Sequence, residues 1–511
     1  GTFPRDFQRK YTELLASYQL SLQLNPQQIM THYVNQVGMN GGAGHQGVLM
    51  ADQQAFGRSL SELNELEQLY LVSTLKRGTM FKTENRYVSY HEVPYHREEI
   101  KKALLKQVQN WLSSGLLSKE EANVLETQQL RFNDEPTDMS LSVSTKEFLK
   151  RQMSGSQAKG KTFTAFLTRE NQELVQTAVN KFEYHFRNVI DKNGYHLYSA
   201  AMVVDIESGK ILGHHGGQGL SDLTSLSVGS PTGSLIKPFI LLELMEDMKN
   251  PSSLKLYDGK VKGRFTPNNY SRRYSNQMKG INEIISKSLN APMVNVRLLR
   301  DPIELFSDVE KRFARQGIAP DQFLDLGDPE KKGEYEVNYP LGSRNMTLFD
   351  IAQLYQTLFN DGMYKELMAY DQVYDPITMK NKKIPQKSAQ IYDPVVTIIL
   401  KDAMHHTMLS GGTGTHILHL LPGDRKLYAK TGTSDEAIHG YTVLSDGRLL
   451  VVSYVTYGKV VGDHLELNAT PPIPHGSGVR SAGILAAQIY KEFKNTVSND
   501  PALKLISKTK N

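Results

Sequence analysis

Thr232-Gly233-Ser234-Leu235-Ile236-Lys237-Pro238-Phe239-Ile240-Leu241-Leu242-Glu243-Leu244-Met245 sets a hydroxyl and an amine three residues apart at the mouth of an apolar run. On a helix, that spacing puts Ser234 and Lys237 on one face, within hydrogen-bond reach of each other. Thr232 and Gly233 read as a helix start. Pro238 falls in the first turn, where a missing N–H costs nothing, and Phe239 onward is apolar on nearly every side. Such a helix runs through a core. A serine and lysine at its mouth would be rigidly held beside a helix N-terminus, and desolvation could leave the lysine neutral and basic. The spacing alone proves nothing, because Ser73/Lys76, Ser156/Lys159, Ser252/Lys255 and Ser507/Lys510 share it. Of these, the 156 tetrad lies in a polar connection and the 507 tetrad in a polar tail.

Outward from this helix the pattern is one of strands. The signal changes to β: short strands are predicted over 198–205 and 210–214, joined by Glu207-Ser208-Gly209, and over 427–433, 441–444 and 449–457, the last two joined at Asp446-Gly447. Helical sequence separates the two groups, and a helix over 482–493 follows them. One five-stranded antiparallel sheet packed by helices is the economical assembly. Upstream, periods of 3.6 residues predict amphipathic helices over 9–22 (Leu14, Leu15, Tyr18, Leu22) and 61–75, and Ser118 with Glu121 forms a capping box. This region reads as an all-helical lobe. Polar sequence over 133–161 reads as a connection, with a short strand over 162–168 and a helix over 170–187 beyond it. The whole is an α+β multidomain chain: a helical lobe at 1–130, a small linker region at 131–195 and the sheet domain at 196–500.

Composition narrows the classes. The formal charge is +5 over 511 residues with no basic block, which argues against a nucleic-acid partner. Cysteine is absent, which removes disulfides, Cys-ligated zinc and thiol nucleophiles. No apolar run reaches the ~18 residues of a membrane span. The chain begins at Gly1, so a processed or trimmed product is expected.

Two further elements carry chemistry. Ser288-Leu289-Asn290 is expected to end a short helix with Ile281, Ile284, Ile285 and Leu289 inward, stopped by Ala291-Pro292. A hydroxyl and a carboxamide there can relay a proton and hold an amide, although such a tripeptide is by itself more often an ordinary helix end. Ser343-Arg344-Asn345 is a rival of the same form. Lys430-Thr431-Gly432-Thr433 closes a strand, where Gly432 leaves the backbone open to an extended peptide and a lysine with two hydroxyls suits a carboxylate. His214-His215, His405-His406 and His416/His419 lack the geometry or the carboxylates of a metal site, so no metal is expected. The glycines of 38–47 form no phosphate loop, and Trp111 reads as a packing residue.

SxxK, SxN and KTG in this order are the signature of penicillin-binding proteins and serine β-lactamases, and the sequence resembles a class A, bifunctional penicillin-binding protein over most of its length. Asp205 to Leu212 is similar to the family's hairpin before the nucleophile, and 341–362 to a helical segment that makes Ser343 and Asn345 non-catalytic. Gly412 to Thr415 and His439 to Thr442 flank the KTG strand as in the family. The resemblance implies that Ser234 attacks the carbonyl between two terminal D-alanines, Lys237 takes its proton, Ser288 with Lys430 returns one to the departing D-alanine, and Asn290 holds the substrate amide. Thr431, Gly432 and Thr433 would bind the terminal carboxylate, with the N–H groups of Ser234 and Thr433 as the oxyanion hole. It further implies β-lactam binding, an extracytoplasmic site in the periplasm or on the outer face of the cytoplasmic membrane, other cell-wall synthesis proteins as possible partners, and no metal or organic cofactor.

The N-terminal lobe resembles the second half of the family's peptidoglycan glycosyltransferase domain (family 51). Arg9-Lys10-Tyr11-Thr12-Glu13, Tyr33-Val34-Asn35 and Ala55-Phe56-Gly57-Arg58-Ser59 carry that likeness, while Ser17 and Ser21 depart from it and the two earlier blocks, one with the catalytic glutamate, are absent. Arg9, Lys10 and Glu13 are therefore a remnant site, and sugar polymerisation is not expected of this chain. A D,D-carboxypeptidase, a β-lactamase and a non-catalytic penicillin-binding sensor or scaffold remain as alternatives.

Overall fold

The computed structural model describes residues 5–37, 48–75, 80–84, 86–89, 92–133, 142–153, 162–186, 194–217, 224, 229–321, 329–375, 380–423, 426–434, 439–461, 464–467 and 477–499. The glycine stretch 38–47 and most of the polar connection (134–141 and 154–161) lie outside them. The chain forms two compact units: residues 1–141, 155–163 and 373–383 in one, residues 142–154, 164–372 and 384–511 in the other.

The first unit is built on helices Val48–Phe56, Glu65–Thr74, Arg97–Ser113 and Lys119–Thr127. Leu66, Tyr70, Ile100, Leu104, Val108 and Ala122 make its core, and Trp111 packs at the edge. Ser118 and Glu121 close the expected capping box, and a second one at Asn64 and Glu67 moves the start of the expected 61–75 helix to Glu65. Glu67 is fully buried, paired with Arg58 at 2.7 Å and Arg131 at 3.1 Å.

The lobe departs from its reading in two ways. It is not all-helical: Met80–Lys82 pairs antiparallel with Tyr87–Ser89, because Phe81 and Val88 supply a two-residue apolar face to the core. Helix Arg5–Gln23 is longer than expected and does not bury its apolar stripe, with Leu14 67% and Leu22 69% exposed. Periodicity identifies a helix but not what lies against it.

In the second unit the strand order is Tyr428–Thr433, His439–Ser445, Leu449–Val461, His196–Asp205, Ile211–His215, antiparallel throughout. A sixth strand, His464–Leu467, pairs with the far end of Leu449–Val461 and extends the expected five. The two tight turns behave as read. Asp205 accepts the Ser208 N–H at 2.9 Å before Gly209, and Asp446 accepts from the N–H groups of Arg448 and Leu449. Helices cover both faces. Arg169–Phe186 and Ser477–Asn499 bury Val179, Phe182, Leu485, Ile489 and Tyr490 against Val203, Val451 and Val455 on one face. Helix Leu348–Phe359 lies on the other, its Gln356 amide donating to Ile206 O at 2.8 Å. Beyond it runs helix Lys237–Glu246, its Phe239 ring edge-on to Tyr355 at 5.1 Å.

Candidate active site

The Ser234 segment is a turn before it is a helix. Gly233–Leu235 is a 3-10 turn, and the buried α-helix starts at Lys237 with Pro238 in its first turn. The tighter turn has a physical cause. Gly233 has φ +53°, and a Cβ there would stand 2.3 Å from Thr433 O, so the turn is pressed against the end of strand Tyr428–Thr433 as only glycine permits. Gly432 is the counterpart: a Cβ on it would lie 2.6 Å from Thr232 O. Its openness therefore seats the Ser234 turn as well as leaving room beside the strand. That strand is the last of its sheet.

Lys237 is fully buried, and its Nζ donates to Ser288 O at 2.9 Å, Leu289 O at 3.0 Å and Asn290 Oδ1 at 2.7 Å. The expected Ser234–Lys237 hydrogen bond is absent, and half-buried Ser234 makes no side-chain hydrogen bond among the described residues. Burial, with a smaller contribution from the neighbouring Lys430 charge, holds the Lys237 amine well below the ordinary lysine range. The three acceptors match the three N–H groups of the charged amine; in the neutral form two N–H groups remain for them and one lone pair can take a proton.

Ser288-Leu289-Asn290 does not end a helix at Pro292 as read. Helix Ile281–Ser286 stops first, Ser288 turns the chain at φ +52°, and Ala291–Val294 starts a new helix with Pro292 in its first turn, where proline is at home. A serine at positive φ is strained backbone, kept because its neighbours over-determine it. They include Lys237 on two successive carbonyls and Lys430, whose Nζ donates to Ser288 Oγ at 3.0 Å and to Thr431 O at 2.9 Å. Lys430 is fully buried, which lowers it to about 7. Ser288, Asn290, Lys237 and Lys430 thus form one hydrogen-bonded group with two desolvated amines. Ser234 stands one turn from Lys237, with Thr431 buried and Thr433 half-buried on the strand beside it. An amine able to accept a proton, a hydroxyl wired to a second amine and a free serine are the parts of acyl transfer through an ester.

The family model for the penicillin binding protein transpeptidase domain matches residues 199–479, which contain all these groups. The chain belongs to this family. A transglycosylase model matches residues 2–108, so the two matches stand in the order of a class A penicillin-binding protein. Penicillin-binding protein 1B of Haemophilus influenzae is 23% identical over 508 residues, covering 96% of this chain and 60% of the relative. Penicillin-binding protein 1B of Vibrio cholerae is 24% identical over 477 residues, covering 88% and 56%. The chain thus spans less than two thirds of these relatives. The crystal structure of penicillin-binding protein 1A from Haemophilus influenzae shares the fold with TM-score 0.54 at 15% identity, over 93% of this chain and 88% of that one.

Not every expected site residue of this penicillin-binding protein joins the cluster. Lys10 and Glu13 form an exposed ion pair at 2.7 Å on helix Arg5–Gln23, and the side chain of Arg9 lies outside the described residues. Ser343-Arg344-Asn345 is structural: Arg344 O accepts the Thr232 N–H at 3.1 Å, and Pro231 pairs with Asn345. The His214-His215 pair is engaged in buried hydrogen bonds, His214 between Thr145 and Thr224 and His215 on Ser199. Two supports were not read from the sequence. Asn269 Oδ1 accepts from the N–H of Asn290 at 2.9 Å and of Ala291 at 3.1 Å, while its amide donates to buried Asp258 at 2.6 Å. Gly342 O accepts the Gly233 N–H at 3.1 Å. The turn composition of Pro267-Asn268-Asn269 was the sole signal for the first, and it does not say what the turn holds.

Proposed function

We propose that this chain is a serine-type D,D-transpeptidase acting on peptidoglycan stem peptides that end in D-Ala-D-Ala, and that β-lactams acylate the same serine. The observation that carries the reading is the hydrogen-bonded group of Lys237, Ser288, Asn290 and Lys430 beside an unengaged Ser234. Ser234 Oγ bonds to the carbonyl carbon of the penultimate D-alanine while neutral Lys237 takes its proton. The N–H groups of Ser234 and Thr433 hold the oxyanion, a device worth about 3 kcal/mol of barrier. The C–N bond then breaks, and terminal D-alanine leaves with a proton from Ser288 that Lys430 replaces. Asn290 holds the donor amide, and Thr431, Gly432 and Thr433 hold the terminal carboxylate. An amine of a second stem peptide attacks the ester and forms the new amide; Lys237 gives its proton back to Ser234 as the ester C–O bond breaks, and the proton lost by the amine returns to Lys430 through Ser288.

In this reading residues 196–500 are the transpeptidase domain, 131–195 a linker region and 1–130 part of a glycosyltransferase-like lobe. Arg9, Lys10 and Glu13 are a remnant site without polymerising activity, with Lys10 and Glu13 paired to each other on an exposed face. The site works outside the cytoplasm; among the described residues no helix is long and apolar enough to cross a membrane. Labelling with a fluorescent penicillin, followed over time beside Ser234→Ala, tests the reading. Persistent label that requires Ser234 supports it, rapid release indicates a β-lactamase, and label that survives the substitution refutes it. Muropeptide analysis separates transpeptidase, whose product is a cross-linked dimer, from carboxypeptidase, which shortens the stem, and from a sensor, which does neither. Polymerisation of a lipid-linked disaccharide substrate by this chain would overturn the remnant assignment.

A further inference from the structure

Between strands Lys255–Asp258 and Gln277–Gly280, which pair antiparallel, the chain makes a long excursion beside the Ser288 turn. Residues 259–282 include Lys260, Lys262, Arg264, Arg272, Arg273 and Lys279 and no acidic residue. Lys279 pairs with Glu283 at 3.0 Å and Lys260 lies over the Tyr274 ring, but Lys262, Arg264, Arg272 and Arg273 are exposed and have no carboxylate within ion-pair distance among the described residues. Two aromatic rings stand among them, Phe265 68% and Tyr270 87% exposed. Two exposed rings interleaved with unpaired cations in a segment without acids make a positively charged surface that also offers apolar contact.

The base of the excursion is anchored and leads into the active site. Asn268 O accepts from Asn290 Nδ2 at 3.0 Å, and the same Asn290 accepts from Lys237. Arg297 donates to Phe265 O at 2.8 Å, and Tyr274 OH donates to Thr266 O and Asn268 Oδ1. The cationic tip is therefore one hydrogen-bonded step from the group proposed to hold the donor amide.

We propose that residues 260–274 form a docking surface for carboxylates on a stem peptide beyond its terminal D-Ala-D-Ala, with Lys262, Arg264, Arg272 and Arg273 pairing the acidic groups and Phe265 and Tyr270 covering the apolar backbone between them. The occupant follows from charge complementarity and from continuity with Asn290, and the inference rests on the transpeptidase reading. Guanidinium groups take carboxylates bidentately, so this surface ranks substrates by side-chain charge while Thr431 and Thr433 read only the chain end.

The test uses the full chain and two synthetic stem peptides, one with free side carboxylates and one with these amidated. Lys262→Glu with Arg273→Glu is expected to raise KM for the acidic peptide about tenfold, to change it less than about twofold for the amidated one, and to leave Ser234 labelling by fluorescent penicillin unchanged. High salt should weaken the parent's preference in the same direction. Equal effects on both peptides, or none, with labelling retained, would overturn the docking surface. So would binding to vesicles of anionic lipid that the charge reversal abolishes while peptide preference stays as it was. If the parent releases no D-alanine from either peptide, the transpeptidase reading has failed. Fluorescence anisotropy of the two labelled peptides then decides the docking surface alone: it stands if the charge reversal weakens only the acidic one and falls otherwise.

Discussion

Asn269 holds Asn290 by its backbone: one side-chain oxygen accepts from the N–H groups of Asn290 and Ala291, and the amide nitrogen is fixed in turn by Asp258. Asn269→Ala leaves two N–H groups without an acceptor and frees the strained Ser288 turn. The loss is expected to be about 1–3 kcal/mol in stability, with Ser234 acylation slowed about tenfold or more. Asn269→Asp keeps the acceptor but sets a second carboxylate beside Asp258. Its acylation defect should shrink toward acid pH, where one carboxyl is protonated. Acylation rates and thermal unfolding measured across pH separate the two; pH-independent defects in both would refute the positioning role.

Gly342 and Gly233 touch backbone to backbone. A Cβ at 342, where φ is +95°, would lie 2.0 Å from Gly233 O. Gly342→Ala must therefore displace the nucleophile turn, and is expected to cost about 2 kcal/mol or more and to slow penicillin labelling. Gly447→Ala, also at positive φ but with only Tyr428 near, at 3.8 Å, is the control. It should destabilise by about 1 kcal/mol and leave labelling alone. Equal labelling by both variants would count against the contact.

The two lysines give a pH signature. Lys237 titrates well below the ordinary lysine range because of burial, and Lys430 at about 7. Acylation should rise with pH as Lys237 loses its proton, with the acid limb far below that of a free lysine. In Lys430, the folded value is depressed relative to the unfolded one, so between about pH 7 and the ordinary lysine value the unfolded chain binds more protons and stability climbs with pH. Lys430→Met should remove the share of that rise that Lys430 contributes, Lys237 keeping its own, and slow acylation about a hundredfold. Chemical denaturation at several pH values reads the first effect and fluorescent penicillin the second.

Arg344 and Glu310 are a buried pair, at 3.0 Å, with Tyr339 OH donating to the same carboxylate at 2.7 Å. Burial raises the Glu310 carboxyl despite the guanidinium. Arg344→Met strands that charge and is expected to cost about 3–5 kcal/mol, while adding Glu310→Gln should recover much of it. Denaturant midpoints of the single and double variants check this, and additive losses would show that the pair does not couple.

Short runs of β-branched, aromatic and other apolar residues with turn residues between were enough to mark the five strands of the central sheet, whose residues are buried on both faces and so read as near-continuous apolar runs. The apolar run after Pro238 likewise marked a core helix. Ser234, Lys237, Ser288, Asn290 and Lys430 were singled out as candidates because three motifs, each weak alone, stand in one order. Tertiary structure decided how they meet. The 3-10 turn at Gly233 comes from the strand end pressed against it, and positive φ at Ser288 from two lysines more than fifty positions away in either direction. Nor could the spacing of Ser234 and Lys237 show that the amine bonds Asn290 instead of the serine, because local period fixes a shared face and not a partner. Asn269, Gly342 and the cationic excursion at 260–274 escaped the sequence for the same reason. Each acts through contacts distant in the chain, and only folding sets which distant groups share a hydrogen bond. The apolar stripe of helix Arg5–Gln23 makes the converse case: the pattern was read correctly, and exposure belongs to the packing.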